Sequence, residues 1–215
     1  RKHSADAFDL ESPELFALNC QDDITIEELF ARHVDFGRRL EQSHPARFAA
    51  FDNIPDPGRR LRVGFVSADF QYHVVPLFLL PFLEERDRSV IEVYCYSTGD
   101  TADSYTERLR ALADVWRAAS RMPPADVADL IHADGVDILV DLAGHSGTPN
   151  LRVFAHRPAP VQATWVGYLN TTGLSRIQYR ISDLQCDPPG LTDRFHTKQL
   201  LRLPNSQWCY RPFVE

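Results

Sequence analysis

No run of apolar residues in this 215-residue chain approaches the roughly 20 that a membrane-crossing helix needs. The most apolar stretch, Val74 to Leu83, is short and broken by Pro76 and Pro81, so no membrane partner is expected. Basic residues are in deficit, 23 Lys and Arg against 30 Asp and Glu, for a formal net charge of −7. Phosphate-backbone affinity comes chiefly from Lys and Arg, and no basic stripe with interleaved aromatics is present, so no nucleic-acid partner is expected. Cys20, Cys95, Cys186 and Cys209 are widely spaced without a CxxC, which excludes a zinc knuckle or a disulfide-dense scaffold and suggests reduced thiols in a cytoplasmic protein. GxxxxGKS/T is absent, which removes the phosphate-loop NTPases, and no GxGxxG follows the first strand, which disfavours a dinucleotide dehydrogenase. GxSxG and HExxH are missing too, so neither an α/β-hydrolase nucleophile nor a metal-ligand helix is expected. The chain starts at Arg1 without an initiator Met, and its first residues lack a signal peptide's apolar core, so a segment cut from something longer is expected.

What is present is 44% hydrophobic residues, enough for a sizeable core. From Thr25 to Gln42, Ile26, Leu29, Phe30, His33/Val34, Gly37 and Leu40 recur at helical spacing, with Thr25 placed as N-cap and Glu27 and Glu28 in the first turn. Residues 44–60 hold three prolines and an Asp-Pro-Gly turn signal and read as a linker, making 1–60 a helical preface with its linker. In 61–215, β-like and α-like segments alternate: strands over 61–67, 91–97, 137–143, 161–168, 178–183 and 199–204, and helices near 76–85, 102–114 and 124–134. Near-continuous apolar strands imply a sheet covered on both faces, hence a doubly wound, mainly parallel α/β domain. Residues 184–198, with Pro188, Pro189 and Gly190, read as a surface excursion.

Ligands of such sheets bind at the carboxyl ends of the strands, so residues just after a strand are the site candidates. His73 follows the first strand in SADFQYHVVP, and a histidine there has the right pKa range for proton transfer near neutrality. Asp69, four residues earlier, either orients it or caps the following helix. The loop Asp141-Leu142-Ala143-Gly144-His145-Ser146-Gly147-Thr148 follows another strand, and its glycines let backbone approach a sugar or phosphate closely. A third strand-end loop, Trp165 to Gly173, adds Thr171, Thr172 and the glycines Gly167 and Gly173, with its aromatics Trp165 and Tyr168 read as core residues. Together the three loops specify a polar ligand site. The other six histidines, His3, His33, His44, His132, His156 and His196, read as solvated or packing residues.

LRVGFVSADFQYH, then GVDILVDLAGHSGTPNLRVFAHRPAPVQATWVGYLNTTG, then LRLPNSQWCYRP, resemble the amino-terminal half of the catalytic region of the O-linked N-acetylglucosamine transferase and SPINDLY family. LFALNCQDDITIEELFARH resembles the stretch joining that family's tetratricopeptide repeats to the catalytic region. The resemblance implies one Rossmann-like half of a GT-B glycosyltransferase. It also implies inverting transfer of a sugar from UDP-N-acetylglucosamine, or GDP-fucose in some members, to Ser/Thr hydroxyls of intracellular proteins, with no metal or other cofactor. It makes His73 the catalytic base and places the loops at 141–148 and 167–173 along the donor-sugar and acceptor side of the cleft. The diphosphate clamp would then belong to a carboxy-terminal half beyond Glu215, leaving this segment inactive alone. The family commonly reads His-Pro and Gly-Tyr-Pro where this chain has His73-Val74 and Tyr168-Leu169; a lost proline changes loop rigidity and leaves the polar groups in place. A nucleotide-sugar epimerase-like half and a non-catalytic protein-interaction module are the alternatives.

Overall fold

The apolar runs from residue 61 onward assemble into one seven-stranded sheet in which every neighbouring pair is parallel. The computed structural model describes residues 7–147 and 150–212. The strands are β1 (Leu61–Ser67), β2 (Ile91–Ser97), β3 (Val115–Ala118), β4 (Ile138–Asp141), β5 (Val161–Thr164), β6 (Tyr179–Asp183) and β7 (Gln199–Leu203). Their order is β3-β2-β1-β4-β5-β6-β7, so the winding reverses between β1 and β4.

Parallel strands need covered crossovers, and the helices supply them: α3 (Val74–Glu85), α4 (Ser104–Leu112), α5 (Pro124–Ala133) and the short α6 (Leu151–Ala155). Side-chain alternation divides the core in two. Val63, Phe65, Val93, Cys95 and Val140 face α3 and α4, where Leu79 and Leu83 are buried completely or almost so. Val66, Tyr94, Tyr96 and Leu139 face the opposite layer of α5, α6 and the preface. Fully burying each leucine or phenylalanine contributes roughly 1.5–3 kcal/mol, so both layers are needed to hold the sheet.

Among the described residues the preface holds two helices, α1 (Ala7–Leu18) and α2 (Ile26–Ser43), where the periodicity revealed only the second. The apolar residues of α1 are spread around its circumference, with Leu10 and Phe16 exposed while Leu15 and Leu18 are buried, and Pro13 interrupts the pattern. Thr25 caps α2 in a reciprocal capping box with Glu28. The sequence reading also passed over β3, a four-residue edge strand that is only half-buried, and α6, barely more than one turn. It carried β4 and β5 too far, because Leu142, Ala143, Trp165, Val166 and Tyr168 are buried although they lie in loops.

Residues 44–60 contain no regular element, yet they are fastened to the amino-terminal edge of the sheet. Arg59 pairs with the buried Asp137 carboxylate, which also accepts from Asn53 and from the Arg62 amide. Past β7 the chain turns back across the domain: the Gln207 carbonyl accepts from the Trp165 indole at 3.0 Å, and Trp208 stacks near Phe78 of α3.

The preface meets the sheet's carboxyl edge backbone to backbone. A Cβ on Gly37 of α2 would overlap the Gly173 carbonyl, and one on Gly173 would overlap the His33 carbonyl while demanding a side chain at φ +78°. Gly37→Ala should therefore lower stability by about 1–3 kcal/mol in urea unfolding. The same change should raise the helicity of an isolated α2 peptide, since glycine is worth about 0.5–1 kcal/mol less than alanine inside a helix. A stabilised folded protein would contradict the close contact.

Candidate active site

Register aligns the carboxyl ends of the central strands, with Ser67 opposite Ser97, Val66 opposite Asp141, and Asp141 opposite Thr164. The β1–α3 loop leaves this edge on one side of the reversal and the β4–α6 loop on the other. In the first, the Asp69 amide donates to the Ser67 hydroxyl at 2.9 Å. The helix cap falls to His73 itself: its Nδ1 accepts from the Val75 amide at 3.4 Å. The Asp69 carboxylate lies 4.0 Å from the same Nδ1, short of hydrogen-bonding distance, and the His73 side chain remains 42% exposed. Gly147, exposed at φ +65°, approaches from the β4 side, so close that a Cβ there would lie 3.6 Å from Asp69 Oδ2. Asp69, His73 and Gly147 thus share one crevice.

The other expected site residues are placed differently. Asp141 is fully buried and accepts from the amides of Ala143 and Gly144 and from the Thr164 hydroxyl, tying down the turn that follows β4. Burial pushes its carboxyl above the usual range in spite of those donors. A Cβ on Gly144 would overlap Tyr168 and one on Gly167 the Leu142 carbonyl, so the β4 and β5 loops lie directly against each other. Thr171 and Thr172 are completely buried; Lys198 Nζ donates to the Thr172 hydroxyl at 2.7 Å, and Thr171 meets the Thr197 hydroxyl at 3.0 Å. Burial brings Lys198 down to about 7. Thr148 lies outside the described residues. No group of three or more His, Cys, Asp or Glu is placed to hold a metal among the described residues.

His145 is 1% exposed, and both its ring nitrogens have protein partners. Nε2 lies 3.1 Å from the Thr172 carbonyl, which only accepts, so Nε2 carries the proton and Nδ1 accepts from Ser12 Oγ of α1 at 2.7 Å. His33 follows the same logic: Nδ1–H donates to the Leu29 carbonyl at 2.7 Å, and Nε2 accepts from the Tyr168 hydroxyl at 2.5 Å. Tyr168 in turn accepts from Asn19 Nδ2 at 2.8 Å. These two hydrogen-bonded chains join α1 and α2 to the loops after β4 and β5. Sequence inspection missed Ser12, Asn19 and Lys198 because none sits in a periodic or motif position; their partners are 133, 149 and 26 residues away.

A doubly wound parallel sheet with a polar crevice at its reversal is the Rossmann-like architecture of one half of a GT-B glycosyltransferase. A mutant O-GlcNAc transferase from Thermobaculum terrenum superposes with a TM-score of 0.89 at 39% identity, over 94% of this chain and 39% of that one. Residues 15–209 match glycosyl transferase family 41, and the chain belongs to that family. Among curated relatives, a probable UDP-N-acetylglucosamine–peptide N-acetylglucosaminyltransferase SPINDLY of Solanum lycopersicum is 40% identical over 94% of this chain. Its counterpart in Arabidopsis thaliana is 38% identical over the same share. A UDP-N-acetylglucosamine–peptide N-acetylglucosaminyltransferase of Caenorhabditis elegans is 30% identical over 81% of the chain and 15% of its own length. The chain spans 22% of the length of the two SPINDLY relatives. No helix among the described residues is long and apolar enough to cross a membrane.

Burial lowers His33 to about 4 and His145 to about 3. Both titrate near 6.5 when unfolded. Between pH about 6.5 and 4 the unfolded chain therefore binds protons that the folded chain refuses, and stability falls as the pH is lowered through that window. The slope should reach about 1.4 kcal/mol per pH unit for each imidazole. Urea unfolding at pH 7.5, 6 and 5 should show this loss, and His145→Gln should flatten it; an identical slope in the variant would refute the buried neutral ring.

Proposed function

We propose that this chain is the acceptor-side half of an inverting glycosyltransferase that moves N-acetylglucosamine from UDP-N-acetylglucosamine to Ser and Thr hydroxyls of proteins. His73 is its general base. The observation that carries the reading is the contrast between the two strand-end histidines: His145 is sealed between protein partners, whereas His73 keeps an exposed ring at the reversal beside Asp69 and Gly147. Family membership and the relatives' names support the donor and the protein acceptor.

In the transfer, the acceptor hydroxyl oxygen bonds to the anomeric carbon as the bond from that carbon to the diphosphate oxygen breaks. The electron pair leaves with UDP, and the hydroxyl proton passes to His73. Both described contacts of the ring are through Nδ1, which leaves Nε2 to face the acceptor. For Nε2 to accept, Nδ1 must carry the proton, which it then directs at Asp69 rather than taking one from Val75. Closing the 4.0 Å gap to Asp69 Oδ2 would select that tautomer and stabilise the imidazolium that forms. In this reading, the loop after β4 contributes backbone to the crevice at the exposed Gly147, while Gly144, Gly167 and Gly173 let that loop, the loop after β5 and α2 lie directly against one another. The Asp141, His145, Thr171 and Thr172 side chains hold those loops in shape. The diphosphate's charge is met by the carboxy-terminal half, and the scheme uses no metal.

The test is transfer of radiolabelled N-acetylglucosamine to a protein acceptor. The 215-residue chain alone should transfer nothing. In the complete chain His73→Ala should lower kcat by about 10²–10⁴-fold while leaving the circular dichroism spectrum and donor binding in place. Turnover by the segment alone, or an unchanged rate in the variant, would overturn the reading, and transfer from GDP-fucose only would overturn the donor.

A further inference from the structure

The β1–α3 loop has two sides. One faces the crevice, and the other is gripped by the turn between β2 and α4, which takes no part in the chemistry described above. Three contacts form the grip. Gly99 approaches so closely that a Cβ there would overlap the Ala68 carbonyl oxygen. The Thr106 hydroxyl donates to the Phe70 carbonyl at 2.6 Å, and Thr106 is 2% exposed. The Asp103 carboxylate accepts from the Tyr72 amide at 2.6 Å, one residue before His73.

Asp103 divides its two oxygens between separate tasks. Oδ1 caps α4, accepting from the amides of Tyr105 at 2.9 Å and Thr106 at 3.0 Å. Oδ2 takes the Tyr72 amide. An ordinary N-cap requires only the first, and Asn or Ser provides it equally well. The second bond needs an acceptor on the other side of the same group, which a carboxylate has and an amide does not. The loop is thereby fixed at Ala68, Phe70 and Tyr72, every second residue up to the one that carries the ring.

We propose that Asp103 and Thr106 are positioning residues for His73, holding its ring at the crevice from behind through Tyr72 and Phe70. The inference rests on the reading of His73 as the base. A general base acts only within about hydrogen-bond reach of the proton it removes, and a misplacement of 1 Å can cost on the order of 100-fold in rate.

Asp103→Asn separates the two tasks, because the amide oxygen keeps the α4 cap while its NH2 group confronts the Tyr72 N–H with another donor. In the complete chain this variant should lose 10- to 100-fold in kcat, with KM for UDP-N-acetylglucosamine within about twofold and a melting temperature lowered by only about 2–4 °C, as for the loss of one hydrogen bond with the cap kept. Thr106→Val should lose kcat as well, and Thr106→Ser, which keeps the hydroxyl, should restore it. Full activity of Asp103→Asn beside an inactive His73→Ala would overturn the positioning role alone. A parallel loss of kcat, KM and melting temperature, or a Thr106→Ser as impaired as Thr106→Val, would reduce the grip to a structural one and overturn it too. An active His73→Ala would overturn the reading of His73 and the inference with it.

Discussion

The constraint on which the rest depends is the place of β1 between β2 and β4. With β4 it forms the pair that joins the two halves of the sheet, and the crossovers on either side of that pair must cover opposite faces. Right-handed crossovers send α3 and α4 to one layer and α5 and α6 to the other. The chain segments leaving β1 and β4 therefore part company at their carboxyl ends, and the gap between them is a consequence of winding rather than of any particular side chain. What the sequence adds is the identity of the groups that line the gap and the strength with which they are held.

Strand and helix positions were largely legible because burial on both faces leaves a strong signature. LRVGFVS and IEVYCYS correspond to β1 and β2 without a residue's difference. The signal fails where burial and secondary structure part. Leu142, Ala143, Trp165 and Val166 are apolar and buried, so they read as strand, but they lie in loops pressed against one another and no ladder continues through them. Conversely, the four residues of β3 are half-exposed at the sheet's edge and gave no pattern. The α1 helix left no pattern because the face it buries is part polar, Ser12 with Leu15 and Leu18, while Leu10 and Phe16 are exposed on the rest of it.

The rule that residues after a strand form the site located the crevice but did not sort its side chains. Asp69 and His73 reach the open side of it. Asp141, His145, Thr171 and Thr172 stand at equivalent positions in sequence, yet they point into the protein: His145 is met by Ser12 of the preface, Asp141 by Thr164 and the amides that follow it, and Thr171 and Thr172 by Thr197 and Lys198. The contact with the preface is a long-range event: Ser12 and Asn19 precede their partners by more than a hundred residues, and no local pattern encodes it. A polar residue just past a strand is thus equally suited to hold a ligand or to hold a neighbouring segment, and only the partner that folding brings to it decides between them. The buried rings persist as neutral groups because each nitrogen has a partner of the right kind, which offsets the penalty that an orphaned polar atom would carry, about 1–3 kcal/mol.

The contact of Gly37 with Gly173 has a mechanical meaning. Two backbones that touch without side chains between them cannot slide by exchanging rotamers, and the hydrogen bonds from Ser12 and His33 prevent them from separating cheaply. A push or pull on α1 or α2 is consequently conveyed to the Tyr168 loop as a displacement of backbone, with little lost to side-chain compliance. The preface and the Tyr168 loop form one packed body.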